Sequence, residues 1–419
     1  MKKQLLLLFI LFGLTKASNS QNLNITLASK LTYSGLSLAN VWGWKHPITG
    51  KEYALVGASN GLSIVDVSNP KNISQIVLIP CPSNTSIWRE IRTNGNYAYV
   101  VTEGGGGLQI VDLSDLPSAT LKVAIWAPTI SGTVLSSIHA LQIDNEKIYL
   151  YGSKVGNGGA IIADIKTSPM APVYLGSYDA NGYIHDGYVR NDTLYACHIK
   201  GALQGTCEIV DVRKPAAGVS LASFQTPLKF THNSWLSKDG KTCFVTDEQP
   251  NSYLAAYDIS NLANISLRGK IQSNPGSNSV VHNTYIINKN GIDYAVTSWY
   301  ADGITIVNAS DPSHLVQVGN YDTSPLSGST ENACWGVYPY LPSGNILASD
   351  MKEGLFVLSP TYVTGVSENT FGNVKVITYP NPFIIDATIT VQSSSFKVEG
   401  DFYLALFDVY GNKIRTVNP

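Results

Sequence analysis

The chain repeats itself. GLSIVDVSNP at 61–70 returns as GLQIVDLSDL at 107–116, GAIIADIKTS at 159–168, TCEIVDVRKP at 206–215, YLAAYDISNL at 253–262, GITIVNASDP at 303–312 and, cut short, GLFVLSP at 354–360. Successive copies start 46, 52, 47, 47, 50 and 51 residues apart. Seven copies at that period predict an all-β, seven-bladed β-propeller, each copy supplying the third strand (C) of a four-stranded blade. Thirty-six glycines and 23 tyrosines suit such a turn-rich β chain.

The other strands are read around the unit. A second strand (B) precedes it, as in EYALVGA at 52–58 or CFVTDE at 243–248, and an inner strand (A) comes before that, as in IHALQID at 138–144 or HNTYIIN at 282–288. An outer strand (D) follows, as in PVYLGSYD at 172–179. The seventh copy ends at Pro360 with no D strand after it, while ITLASKLTYSG at 25–35 has the D pattern and precedes blade 1. This N-terminal strand is expected to complete blade 7 and close the ring, removing exposed sheet edges.

The ends read differently. Residues 1–20 place two lysines before an apolar run from Leu5 to Leu14 and then small residues, the layout of a secretory signal peptide. The propeller is expected over 21–360, a linker over 361–373 and a short, partial β region over 374–419. No later stretch is long and apolar enough for a membrane helix, so no membrane-spanning segment is expected after signal cleavage. Net charge is −2 with no basic tract, so nucleic acid is not an expected partner. The five cysteines lack metal or redox spacing; Cys197 and Cys207 flank a short loop and can bridge only if neighbouring strands hold them.

Candidate chemistry gathers at one end of strand A. His139, His185, His232 and His282 open that strand in four successive blades. Strand B runs antiparallel to A, so its last residues return to the same rim, bringing Glu103, His198, Asp247, Glu248, Asp302 and Asp350. Glu90, Asp186, Trp299 and Trp335 complete the expected ligand rim. Imidazole and carboxylate are ligands for divalent transition metals, so the four histidines are candidate metal ligands. The structural reading is that a repeat repeats its residues, each histidine hydrogen-bonding the next blade. There is no GxSxG elbow, and GGGG at 104–107 has no following lysine, which makes it a B–C turn rather than a phosphate loop. Two functions follow: a binding module holding a glycan, peptide or protein on the channel rim, or a metal-dependent enzyme centred on the histidines.

The repeat units resemble the LVIVD repeat. With WGW at 42–44, WREI at 88–91, YIHDG at 183–187, HNSW at 232–235, SWYADGI at 298–304 and WGVYPYLPSGNILASDMKEGLFVLSP at 335–360, the pattern over about 25–360 resembles the choice-of-anchor B family of exported bacterial propellers. That resemblance implies a shared propeller with varied cell attachment and no set activity. TYPNPF at 378–383 and LFDVYGNKI at 406–414 resemble the type A sorting domain of the type IX secretion system, implying a Bacteroidetes-type host, an extracellular or outer-membrane location and export machinery as a partner. The family's sorting domain continues for several strands past the point where this sequence stops, so a periplasmic location is the expectation if the shortened tail does not work.

Overall fold

The computed structural model describes residues 22–361 in full and, beyond them, the backbone of four strands: Val374–Tyr379, Thr388–Ser393, Leu404–Phe407 and Lys413–Val417. The expected leader over 1–20 and, Thr361 apart, the linker over 361–373 lie outside the described residues. The chain divides into two units after Tyr362. In the second, the four strands form two antiparallel hairpins.

The first unit is a seven-bladed β-propeller of seven four-stranded antiparallel sheets. Blade 1 comprises Leu38–Lys45, Glu52–Ala58, Gly61–Asp66 and Ser74–Pro80, strands A to D. Strand A of blades 2 to 7 is Arg89–Asn94, Ala140–Asp144, Asp186–Arg190, Thr231–Leu236, Thr284–Lys289 and Cys334–Tyr338. Blade 7 takes its D strand from the start of the propeller: Ile25–Leu31 pairs with Gly354–Pro360, from Ile25↔Pro360 to Leu31↔Leu355. The expected closure is present. Leu23 extends it, exchanging two backbone hydrogen bonds of 3.0 Å with Asn320 of blade 6.

The repeated unit can now be explained residue by residue. Its isoleucine and valine point to opposite faces of the sheet, as period 2 requires. Ile64 packs with Trp44, Leu62, Ile91 and Val100 at the blade 1–2 interface, while Val65 packs with Leu38, Val41, Tyr338 and Leu347 at the blade 7–1 interface. The aspartate closes the turn after strand C: Asp66, Asp112 and Asp258 each accept from the N–H two residues on, at 2.9, 3.0 and 3.0 Å. The leading glycine admits the D strand. A Cβ on Gly61 would stand 2.1 Å from the Ile79 carbonyl oxygen, and one on Gly354 2.2 Å from that of Leu31.

GGGG at 104–107 is a B–C turn, with φ of +94°, +92° and +79° at Gly105, Gly106 and Gly107. A small hairpin between blades 2 and 3, Thr129–Ile130 with Thr133–Val134, was not expected from the repeat. Cys197 and Cys207 face one another across strands B and C of blade 4, and all five cysteines are free.

Candidate functional site

Each A strand lies innermost in its sheet and packs against its neighbours, so the seven ring the central axis. Pairing registers align three tiers along them. At the mouth stand His139, His185, His232, His282 and Trp335 in blades 3 to 7. One residue on come Asn40, Glu90, Asp186, Asn233 and Asn283. Two further on come Trp42, Arg92, Gln142, Tyr188, Trp235, Tyr285 and Tyr338. In blades 1, 5 and 7 the pairing skips between Leu38 and Val41, Thr231 and Asn233, and Cys334 and Gly336. These bulges re-aim the residues at the mouth, among them His232 and Trp335.

The four histidines converge. Ring centroids step 4.0 Å from His139 to His185, 4.5 Å to His232, 4.3 Å to His282 and 4.4 Å to Trp335. Glu248, just past strand B of blade 5, reaches this arc: its carboxylate lies 3.5 Å from His232 Nε2 and 3.8 Å from His282 Nε2. Tyr300 donates its hydroxyl to Glu248 at 2.7 Å and holds φ at +27°, a backbone strain that an aromatic residue rarely accepts. One ligand atom each from His185, His232 and Glu248 lie within 4.8 Å of one another. At the end of the arc His139 Nδ1 pairs with Glu103 at 2.6 Å.

Burial sets the charge states. It drives His185 and His232 well below the usual imidazole range, aided by the neighbouring histidines, and takes His282 down to about 3. These three rings are therefore neutral donors at neutral pH. Burial also pushes Glu248 up to about 7 against the Tyr300 hydrogen bond. For His139 burial works downward, but the Glu103 hydrogen bond and nearby carboxylates outweigh it and leave it raised. The Nδ1 atoms of His185, His232 and His282 are buried without a hydrogen bond of normal geometry. Each ring is nonetheless steadied by the main chain of the next blade: His232 for His185, His282 for His232 and Trp335 for His282.

Several rim expectations are corrected. Asp247 is 1% exposed and accepts from Thr226, Leu228 N–H and Phe230 N–H, so it organises the turn entering blade 5. Asp350, fully buried, does the same with Thr323, Lys352 N–H and Glu353 N–H. Asp302 accepts from Ser273 and Ser277. His198 is enclosed in blade 4, bonded to the Tyr183 carbonyl and Glu208. Trp299, 1% exposed, is core, its Nε1 donating to Thr305. Trp335, 3% exposed, packs on His282 and offers no open platform. The reasons are local: carboxylates at strand ends bond the nearest free N–H and hydroxyl groups, and rings fill the space within and between blades.

Glu90 and Asp186 belong to the middle tier rather than the rim. Glu90 pairs with Arg92 at 3.1 Å, and Asp186 accepts from Asn233 at 2.8 Å. Beneath them Arg92 lies 4.4 Å from the Trp42 ring, within a floor of aromatics where Trp42, Trp235, Tyr285, Tyr338 and Tyr340 meet at 4.7–6.4 Å. Asn40, Arg92, Asn233 and Asn283 escaped sequence reasoning. For the asparagines the signal was a polar residue just after the mouth position in several blades, in AN at 39–40, RE at 89–90, HD at 185–186 and HN at 232–233 and 282–283.

On the mouth face a shallow groove of about 630 Å³ runs past Ser59, Asn60, Trp88 and Glu103. Trp88 is 43% exposed there, and Glu103 joins the groove to His139.

Comparison with known proteins agrees with the repeat and the fold. The LVIVD repeat model matches residues 49–77, 89–125 and 293–323, segments of blades 1, 2 and 6. No curated protein matches the chain. Among solved structures, the β-propeller domain of Myceliophteria thermophila Cps50 (Swd1) is similar, with a TM-score of 0.53 and 11% identity over 80% of this chain and 99% of that one. At that identity the likeness concerns the fold alone. The chain is a seven-bladed β-propeller carrying LVIVD repeats.

Proposed function

We propose that this protein is an exported metal-binding propeller whose histidine mouth holds a divalent transition-metal ion, on which an extracellular ligand or substrate is bound. The observation that carries the reading is the trio His185, His232 and Glu248, with ligand atoms mutually within 4.8 Å. Three ligands each ~2.1 Å from one ion stand ~3.4–3.6 Å apart; His232 and Glu248 are already 3.5 Å apart, and a closure of roughly 1 Å by side-chain rotation brings in the third. Neutral imidazoles need no deprotonation before they ligate, and Glu248 is close to giving up its proton. His282 stands by as a fourth donor, and Tyr300 orients Glu248 from behind. Three protein ligands with a position left open is the pattern of reactive rather than purely structural zinc sites.

Burial of Trp299 and Trp335 weakens the alternative of a glycan or peptide stacked on the channel rim itself. The groove beside Trp88 favours a second component, an extended ligand lying there with one end at the metal through the Glu103–His139 side. Export rests on residues 1–20 and the sorting-domain resemblance. Among the described residues no helix is long and apolar enough to cross a membrane.

The test is metal content and zinc titration of the full chain. Wild type is expected to retain about one zinc per chain, with His232→Ala and Glu248→Gln losing it. Wild type without stoichiometric metal at micromolar free zinc, or retention unchanged in a His185→Ala/His232→Ala variant, would overturn the reading. Fractionation of the native host tests export.

A further inference from the structure

We propose that Cys197 and Cys207 are a disulfide site: on export the two thiols join across strands B and C of blade 4 and staple the turn between them at the channel mouth. The pairing geometry is internal to blade 4. Its setting, an oxidising compartment, rests on the export reading given above.

The backbone register carries the inference. Strand B of blade 4, Thr193–His198, and strand C, Thr206–Asp211, run antiparallel with Cys197 directly opposite Cys207. Val212 N–H donates to the Asp192 carbonyl at 2.9 Å, so every second pair from there, Leu194↔Val210 and Ala196↔Glu208, is a hydrogen-bonded one. Cys197↔Cys207 follows as a non-hydrogen-bonded pair, in which opposed Cα atoms stand ~4.5 Å apart with their side chains close. A disulfide accepts Cα separations of about 4.4–6.8 Å, so the bridge forms without moving either strand.

The side chains agree with the register. Alternation along each strand puts Cys197 with Tyr195, and Cys207 with Ile209, on the face turned to blade 5. Both cysteines are fully buried, and their thiols lie within hydrogen-bonding reach of each other. Cys243, on strand B of blade 5, reaches Cys207 from across the interface, but its own register partners are Leu236 and Tyr257 and no ladder sets it opposite another thiol.

The oxidant required is an organic disulfide. One cysteine, as thiolate, attacks a sulfur of the oxidant and expels a thiolate; the other attacks the mixed disulfide and expels the second. The Cys197–Cys207 bond forms, the oxidant's S–S bond breaks, and two protons and two electrons pass to the oxidant's sulfurs. Both cysteines are enclosed once blade 5 packs on blade 4, so the exchange belongs to folding and the finished bridge is shielded from reductants. Its place bears on the mouth. The Cys197 carbonyl accepts the His185 N–H at 2.9 Å, and the stapled turn carries Lys200, whose Nζ stands 3.8 Å from the centre of the Tyr183 ring.

The full chain is unfolded and reduced, refolded with reduced and oxidised glutathione, and alkylated in denaturant before peptide mass spectrometry. Three alkylated cysteines are expected instead of five, with the peptides of Cys197 and Cys207 joined. Reducing the bridge should lower Tm by ~4 °C, the loop entropy of residues 197–207 spread over a propeller of this size. That shift should vanish in Cys207→Ala and persist in Cys243→Ala. Five alkylated cysteines after oxidative refolding, or a Cys207–Cys243 link in place of the expected one, would overturn the proposal. So would a shift that survives in Cys207→Ala. Refolding supplies the oxidant, so these results do not depend on the fractionation that tests export.

Discussion

Closure of the ring by Ile25–Leu31 makes the clearest stability prediction. Ile25 is 3% exposed and packs among Val296, Ile306, Val337 and Phe356 at the junction of blades 6 and 7, whereas Leu27, two residues on, is 45% exposed. Ile25→Ala should therefore cost ~3 kcal/mol through lost transfer energy and the cavity left behind, and Leu27→Ala under ~1 kcal/mol. Deleting residues 22–33 removes six register pairs with blade 7. At about 1 kcal/mol net for each hydrogen bond, and roughly one bond per pair, that is ~6 kcal/mol, or ~9 with Ile25 included. A domain has only about 5–15 kcal/mol in all, and the open Gly354–Pro360 edge invites association. The assay is urea unfolding followed by circular dichroism and tryptophan fluorescence, with light scattering on the shortened chain. Equal cost for Ile25→Ala and Leu27→Ala, or a wild-type urea midpoint after the deletion, would refute the reasoning.

Three more outcomes follow from burial. His198→Ala should cost ~3 kcal/mol, because Glu208, side chain fully buried, loses its one imidazole partner and keeps neutral hydrogen bonds to Tyr178, Asn181 and Ser220, yet zinc affinity should not change; a neutral effect on the urea midpoint would contradict this. Burial holds the phenols of Tyr33, Tyr195 and Tyr285 up to about 12, so the fold keeps protons that an unfolded chain releases near 10. Stability present below pH 10 should then fall between pH 10 and 12, and a tyrosinate absorbance titration should show these residues ionising only with unfolding; early, reversible ionisation of all tyrosines would count against it. Only Cys81 is not fully buried among the five cysteines, so a disulfide reagent should find one fast thiol in native, reduced protein and five after denaturation; a second fast thiol would show that a blade interface opens readily.

Seven blades, their order and the borrowed strand of blade 7 were legible in the sequence by itself. Each of those facts is local or counted: a period near fifty residues, alternating Ile and Val, a glycine where a carbonyl crosses, an aspartate that closes a turn. The convergence of His139, His185, His232 and His282 was legible for the same reason, since equivalent positions of a closed repeat must meet at the axis. Which neighbour joins them was a matter for the tertiary structure. Asp247 and Glu248 are adjacent in sequence, yet one bonds three groups of a turn while the other reaches two histidines of different blades. A strand turns successive side chains to opposite faces, so a bulge such as the one at His232 decides which carboxylate faces the channel, and no periodic pattern announces it. The polar tier of Asn40, Glu90 and Asp186 is further removed still. Its members stand as many as 146 residues apart, from Asn40 to Asp186, and become one environment only when the ring closes and takes them out of water together.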